Sequence, residues 1–314
     1  MACSFVAGIA FVSDYLATNV GEVSLRSPIL TAAGTSGYGS ELAGYGDLSE
    51  LGGVVTKSLS AFEWSGNDVP RLTSSHGHMV NAVGLAGPGV VEWRRTSLRQ
   101  LEKTGATIVA SIWGRNVGEF ADAALAMKGA NISALEVNAS CPNLENRSAI
   151  FAHSASATSD IVHASMAAQL PLWVKLSPNT PDLVAIAGAA LDAGASALVL
   201  INTVLGLVID IEQRRPALAN GGGGVSGHGI LPVALRAVWE CREAFPDTPI
   251  VGVGGITTGD DAVAMLMAGA NAVEVGTAIF ADPRAPWKIQ RSLTRWMKRQ
   301  GVGHVRELIG AAHG

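Results

Sequence analysis

The stretch Ala193-Gly194-Ala195-Ser196-Ala197-Leu198-Val199-Leu200-Ile201 joins the end of a helical pattern to a short apolar run. Glycine at such a join supplies the left-handed cap that turns a helix into a strand. The run that follows has no polar alternation, the pattern of a strand buried on both faces of a parallel sheet. The same join recurs at Thr104-Gly105-Ala106 and Ala268-Gly269-Ala270. Comparable runs occupy residues 28–31, 53–56, 107–111, 134–137, 172–176, 250–253 and 272–275. With residues 197–201 they make eight strands separated mostly by helical stretches. This alternation predicts the α/β class and a (β/α)8 TIM barrel. The alternative is an open doubly wound sheet, whose Gly-x-Gly-x-x-Gly fingerprint is missing after the first strand. The chain reads Ala32-Ala33-Gly34-Thr35-Ser36-Gly37 there. The interval between the second and third strands exceeds one helix and is expected to hold an inserted hairpin or lid over the barrel mouth. Residues 1–18 read as an N-terminal extension and residues 19–314 as the barrel domain.

Composition narrows the function classes. A chain of 314 residues with 48% hydrophobic and 15% charged residues is core-rich and globular. Its net charge of −4 offers no basic footprint for nucleic acid. Cys3, Cys141 and Cys241 are too scattered for a disulfide framework or a metal site, and no metal is expected. They fit a reducing compartment. No apolar run reaches the ~18 residues of a membrane span, and residues 1–16 lack the basic start of a secretory signal. A cytoplasmic protein is expected.

In β/α barrels, active sites lie where the strands end. The strand at 134–137 runs into Asn138-Ala139-Ser140-Cys141-Pro142-Asn143, which sets one cysteine between two asparagines. Cysteine can take a proton, and carboxamides can read the amide edge of a planar heterocycle. A structural cysteine beside a turn is the plainer reading. The seventh and eighth strands end in Gly252-Val253-Gly254-Gly255-Ile256-Thr257 and Gly276-Thr277-Ala278. Loops at these positions often cradle phosphate with backbone N–H groups, and the glycine-rich loop at 221–227 can add donors. Lys57 follows the second strand and Lys175 sits late in the fifth. A lysine in an apolar strand is costly unless it meets an anion or an electron-rich ring. Either lysine could instead be salt-bridged or snorkelling.

Taken in order, these motifs resemble the dihydroorotate dehydrogenase family from about residue 20 to residue 309. The resemblance rests on Thr56-Lys57-Ser58, Asn81-Ala82-Val83-Gly84-Leu85, Asn138 to Asn143, Val174-Lys175-Leu176-Ser177-Pro178, Ile201-Asn202-Thr203, Gly254-Gly255 and Gly276-Thr277. It implies an FMN-containing barrel that oxidises dihydroorotate to orotate in pyrimidine biosynthesis. A cysteine in the loop after the fourth strand resembles the soluble class. Ile209 to Pro216 and Gly224-Val225-Ser226-Gly227 resemble the NAD-linked subclass, which pairs the barrel with a subunit carrying FAD and an iron–sulfur cluster. A homodimer is expected at its core.

The resemblance implies roles residue by residue. Cys141 matches the base that removes the C5 proton, and Lys57 a lysine touching flavin and substrate carboxylate. Asn81, Gly84, Leu85, Asn138, Asn143, Asn202 and Thr203 match the substrate site. Ala33, Gly34, Lys57, Ser58, Asn138, Lys175, Ile201, Gly227, Gly254, Gly255, Gly276 and Thr277 match the cofactor site.

The chain also departs from the family pattern. Ser111-Ile112-Trp113-Gly114 stands where relatives commonly have Asn-Val-Ala-Gly, so a hydroxyl replaces a flavin-side carboxamide. Gly87 sits in a turn that often carries asparagine. The loop at 144–153 is less glycine-rich than usual and ends in His153, which is either a second titrating group or a surface residue. These changes bear on the substrate more than on the flavin. A related barrel acting on another dihydropyrimidine and a non-catalytic flavin-binding subunit are the rival readings.

Overall fold

The computed structural model describes residues 15–75, 77–139 and 151–314. Eight parallel strands close into one barrel: β1 (Ile29–Thr31), β2 (Gly53–Val55), β3 (Ile108–Ile112), β4 (Ala134–Asn138), β5 (Leu172–Leu176), β6 (Ala197–Leu200), β7 (Ile250–Val253) and β8 (Ala272–Val275). Each strand pairs with the next in sequence, and β8 returns to β1 through Val273 opposite Ile29. The expected TIM barrel is present, with strand bounds within a residue of those read from the chain.

The strands are apolar on both faces because two cores flank them. Along β5, Trp173 packs inside the barrel with Leu30, Val109 and Val251. Its neighbours Leu172, Val174 and Leu176 belong to the larger core between the wall and the helices. Successive side chains of a strand point to opposite faces, so both sets must be hydrophobic. The hairpin Thr18–Val20/Val23–Leu25 closes the N-terminal end of the barrel. Its Val20, Val23 and Leu25 join the interior cluster, and Thr18 Oγ1 donates to the Asn271 carbonyl at 3.0 Å.

Helices start and stop where the local chemistry allows. Val117–Met127 begins after Asn116, whose Oδ1 accepts from the Glu119 N–H at 3.0 Å. Gly259–Met267 opens with a reciprocal capping box between Thr258 and Asp261. At the join that signalled the fold, Gly194 has φ of +105°, a conformation that disfavours any residue with a Cβ.

The connection from β1 to β2 holds only the single turn Leu48–Glu50 and no α-helix. The last helix, Ala285–Gln300, covers that gap. Trp287 is buried there and its Nε1–H donates to the Asp47 carbonyl at 2.9 Å.

The interval between β2 and β3 contains the hairpin Leu72–Ser75/His78–Asn81. His78–Asn81 pairs in turn with Gly223–Ser226, and that strand with Val204–Gly206. The excursions after β2 and β6 are thereby joined in one four-stranded sheet beside the barrel mouth. Among the described residues no helix is long and apolar enough to cross a membrane.

Trp173 is wholly buried inside the barrel. Trp173→Ala should therefore lower the unfolding free energy by about 3–5 kcal/mol, measured by urea denaturation. An unchanged midpoint would mean that the barrel interior is not a packed core.

Candidate active site

A cavity of about 530 Å³ opens at the C-terminal ends of the strands. That lies within the range of small-molecule sites. Around it stand Lys57 and Ser58 after β2, Asn81, Gly84 and Leu85 from the hairpin region, Asn138 on β4 and Lys175 on β5. Ile201, Asn202 and Thr203 follow β6, Gly227 follows the strand Gly223–Ser226, and Gly254 and Gly255 follow β7. Gly276 and Thr277 follow β8, and Ala33 and Gly34 follow β1. Cys141 and Asn143 lie outside the described residues. His153 is exposed, at the end of the single turn Phe151–His153.

The cavity has two unlike sides. The glycines after β7 and β8 form one, and Lys57, Asn138 and Lys175 form the other, across the barrel mouth. Gly255 has φ of +75°, and a Cβ there would lie 2.5 Å from the Leu231 backbone nitrogen. The loop can approach the helix Leu231–Ala244 this closely only with glycine. The Gly276 and Thr277 carbonyls accept from the Ile279 and Phe280 N–H groups, which pins the second glycine turn.

Polar side chains on the other side form a connected network. Asn202 Nδ2 donates to Asn138 Oδ1 at 3.3 Å, and Asn138 Nδ2 donates to Ser58 Oγ at 3.1 Å. Ser58 and Ser111 hydroxyls are 2.8 Å apart, and Ser111 Oγ donates to Glu136 Oε1 at 2.8 Å. Because the Ser111 proton goes to the carboxylate, Ser58 must donate to Ser111. Ser111 is wholly buried beneath the cavity rather than on its wall. Ser111, expected from the sequence to replace a flavin-side carboxamide, instead serves a carboxylate inside the barrel.

That carboxylate belongs to a buried ion cluster. Lys175 Nζ donates to Glu274 Oε2 at 3.0 Å and lies 3.5 Å from Glu136 Oε2. Both glutamates are wholly buried. Burial disfavours the Lys175 ammonium, but the Glu136 and Glu274 carboxylates outweigh it and raise its pKa. Burial pushes the Glu274 carboxyl well above the ordinary range, Lys175 draws it back, and Glu136 pushes it up again.

Lys57 is different. It forms no ion pair with a carboxylate among the described residues, and its Nζ lies 5.5 Å from the centre of the Tyr38 ring. Burial, then the Arg71 guanidinium, lowers its pKa. A half-buried ammonium in this setting is a ready partner for an anionic ligand.

Several wall residues were not singled out in the sequence. His228 directly follows the Gly227 turn, and its Nδ1 lies 3.1 Å from the Gly255 carbonyl and 3.3 Å from Thr257 Oγ1. Met79, Ser226 and Phe280 also line the cavity. His228 and Thr257 each adjoin a glycine turn already marked, which was the available signal. Beside the cavity, Trp64 Nε1–H donates to the Gly84 carbonyl at 2.9 Å. Trp64 packs edge-on against Phe62 and Trp113, with the Arg115 guanidinium over the Phe62 and Trp64 rings. Trp113, one of the departures from the family pattern, thus buttresses the turn that carries Gly84 and Leu85.

The family model described as dihydroorotate dehydrogenase matches residues 15–297. The chain is 41% identical over 298 residues to the catalytic subunit of dihydroorotate dehydrogenase B (NAD(+)) from Geotalea uraniireducens, covering 94% of this chain and 97% of that one. It is 40% identical over 301 residues to the protein of the same name from Trichlorobacter lovleyi, covering 95% and 99%. For the one from Alkaliphilus oremlandii the identity is 40% over 296 residues, covering 94% and 98%.

The glycine side predicts a phosphate contact. Gly255→Ala should displace the loop and weaken binding of a phosphate-bearing ligand about tenfold, ~1.4 kcal/mol, in a fluorescence titration with the flavin mononucleotide that the sequence resemblance implies. Unchanged affinity would mean that the loop does not hold the ligand's phosphate.

Proposed function

The chain belongs to the dihydroorotate dehydrogenase family, and we propose that it oxidises dihydroorotate to orotate, a step of pyrimidine biosynthesis, with FMN as its flavin. The observation that carries this reading is one cavity lined by glycine turns on one side and by two lysines with asparagines on the other. A mononucleotide flavin has the matching parts, a phosphate and a flat polar heterocycle. The sharp approach of Gly255 to Leu231 and the Lys57 ammonium, which has no carboxylate partner among the described residues, fit those parts.

FMN, when bound, supplies the acceptor for a hydride from C6 of the substrate. The chain supplies the rest. Gly254, Gly255, Gly276 and Thr277 would hold the phosphate. Lys175 would contact the flavin ring, and Lys57 would serve both the ring and the substrate carboxylate, stabilising developing negative charge. Asn81, Asn138, Asn143 and Asn202, with Thr203, pair with the pyrimidine edge. A ligand lacking that edge leaves them unpaired, which is how such a site discriminates. Cys141 takes the C5 proton. A free thiol titrates near pH 8.5, so the thiolate must be favoured locally.

The electrons must then leave. Three cysteines are too few to hold an iron–sulfur cluster in this chain, and it lacks a dinucleotide fingerprint. We assign the exit to a second subunit carrying FAD and an iron–sulfur cluster, consistent with relatives named as catalytic subunits. The excursion after β6 supports a protein contact. Leu205, Leu207, Ile209 and Ile211 are exposed along it, next to the short hairpin Ile209–Asp210/Arg215–Pro216. A run of exposed aliphatic side chains of this kind marks an interaction surface. The working assembly is a cytoplasmic complex built on a homodimer of this chain.

Removing a general base commonly costs about 10²–10⁴ in rate. Cys141→Ala should slow anaerobic flavin reduction by dihydroorotate on that scale, in stopped flow, while FMN stays bound. Cys141→Ser should retain some activity, shifted to higher pH because a hydroxyl is the weaker acid. Near-normal reduction by Cys141→Ala would remove the cysteine from the mechanism.

The acceptor is tested by expressing the chain alone and with a candidate FAD and iron–sulfur subunit from the same genome. Dihydroorotate-dependent NAD reduction should appear only in the complex. Rapid turnover of the isolated chain with fumarate would reject the partner.

A further inference from the structure

The mechanism above uses Lys175 but not the two carboxylates that hold it. Glu136 on β4 and Glu274 on β8 reach the barrel interior from opposite walls and share one ammonium. Glu136 Oε1 has the Ser111 hydroxyl, and Glu274 Oε2 has Lys175. Glu136 Oε2 has only the Lys175 ammonium at 3.5 Å, and Glu274 Oε1 is buried with no hydrogen-bond donor among the described residues. Two ionised carboxylates and one ammonium would leave a net negative charge inside the barrel. Among the described residues nothing nearby offsets it. The residues paired with Glu274 in the wall are Leu30 on β1 and Val253 on β7. Ser111 on β3 is a neutral hydroxyl, and among the described residues the charges acting on Glu274 are Lys175 and Glu136. A buried carboxylate left in that position neutralises itself by binding a proton. A proton on the pair also supplies the hydrogen bond that Glu274 Oε1 lacks.

We propose that Glu136 and Glu274 hold one proton between them beneath the ring site and take up a second from solvent when the ring above Lys175 becomes an anion. They are positioning residues that act through Lys175, and the proposal rests on the FMN reading. Dihydroorotate supplies the electron pair as a hydride, and its C5 proton goes to Cys141. The added negative charge competes for the Lys175 ammonium and weakens its hold on the remaining carboxylate. That carboxylate then binds a proton. Lys175 is the one member of the cluster on the cavity wall. Shared by both carboxyls, it passes its own proton to the one still ionised and is reprotonated from the cavity. The net change is one proton from solvent to the carboxyl pair for each hydride transferred. The network from Asn202 through Asn138, Ser58 and Ser111 ends on Glu136, so the cluster is also tied to the substrate side.

Two measurements test this, one of them without flavin. In the apoprotein at neutral pH, infrared spectroscopy should show the C=O band of a protonated carboxylic acid, lost in Glu274→Gln. Absence of a band assignable to this pair would overturn the proposal whether or not FMN binds. In the FMN-loaded protein, the midpoint potential of the flavin is followed against pH. The wild type should take up one proton more per electron pair than Glu274→Gln over the neutral to alkaline range. The reduced-minus-oxidised infrared difference should show a protonated carboxyl gained. Glu136→Gln removes the other half of the pair and should give the same loss of slope, which covers the case in which Glu274→Gln does not fold. Equal slopes in wild type and variants, even with weakened FMN binding, would make the cluster merely structural and overturn the proposal. A protein that shows the apo band but binds no FMN would instead overturn the functional reading.

Discussion

One lysine and two glutamates buried in the barrel set the terms for the rest of the site. Taking an isolated charge out of water costs several kcal/mol even after relaxation, and only a close opposite charge returns it. Lys175 can stand at the mouth of an apolar barrel because Glu274 and Glu136 lie beside its ammonium. The same need fixes the strand register. Glu136 precedes Asn138 by two residues on β4, so orienting one inward orients the other toward the cavity. On β5, Lys175 lies opposite Asn138, and Trp173 below it fills the interior. The packed layer, the charged layer and the carboxamide layer follow from one alternation.

Above that layer the site is assembled from separate excursions of the chain. The sheet formed by the hairpin after β2 and the segment after β6 brings Asn81 and Gly224 together, with the Asn81 amide 3.4 Å from the Gly224 carbonyl. The aromatic group of Phe62, Trp64 and Trp113 supports the Gly84–Leu85 turn from outside. These excursions leave from barrel strands whose ends are fixed, so loops of ordinary flexibility can still present polar atoms accurately.

Much of this was legible in the chain. The eight strands announced themselves because burial on both faces leaves no room for polar alternation, and glycine joins such as that at Gly194 marked their beginnings. Many residues that line the cavity were legible in advance, the lysines and glycines from their places at strand ends and the asparagines chiefly through the family resemblance. What the chain did not disclose depends on distance in sequence. Glu136 and Glu274 each look like one polar residue in an otherwise apolar run, and Lys175 reaches Glu274 across 99 positions. Only closure of the barrel makes them partners. The missing helix between β1 and β2 was likewise unreadable, because the element that covers the gap, Ala285–Gln300, lies at the far end of the chain. His228 carries no signal of its own in the sequence, because a histidine after a glycine turn has no distinctive pattern until folding sets the Gly255 carbonyl beside it.

The account stands on substrate-driven reduction of a flavin in this cavity. Purified, FMN-loaded protein is held under anaerobic conditions, and its absorbance band is followed as dihydroorotate or dihydrouracil is added. Dihydroorotate should bleach the band and dihydrouracil should leave it almost unchanged, because only the former carries a carboxylate for Lys57. A band that persists with dihydroorotate, or that bleaches equally with dihydrouracil, would contradict the reading.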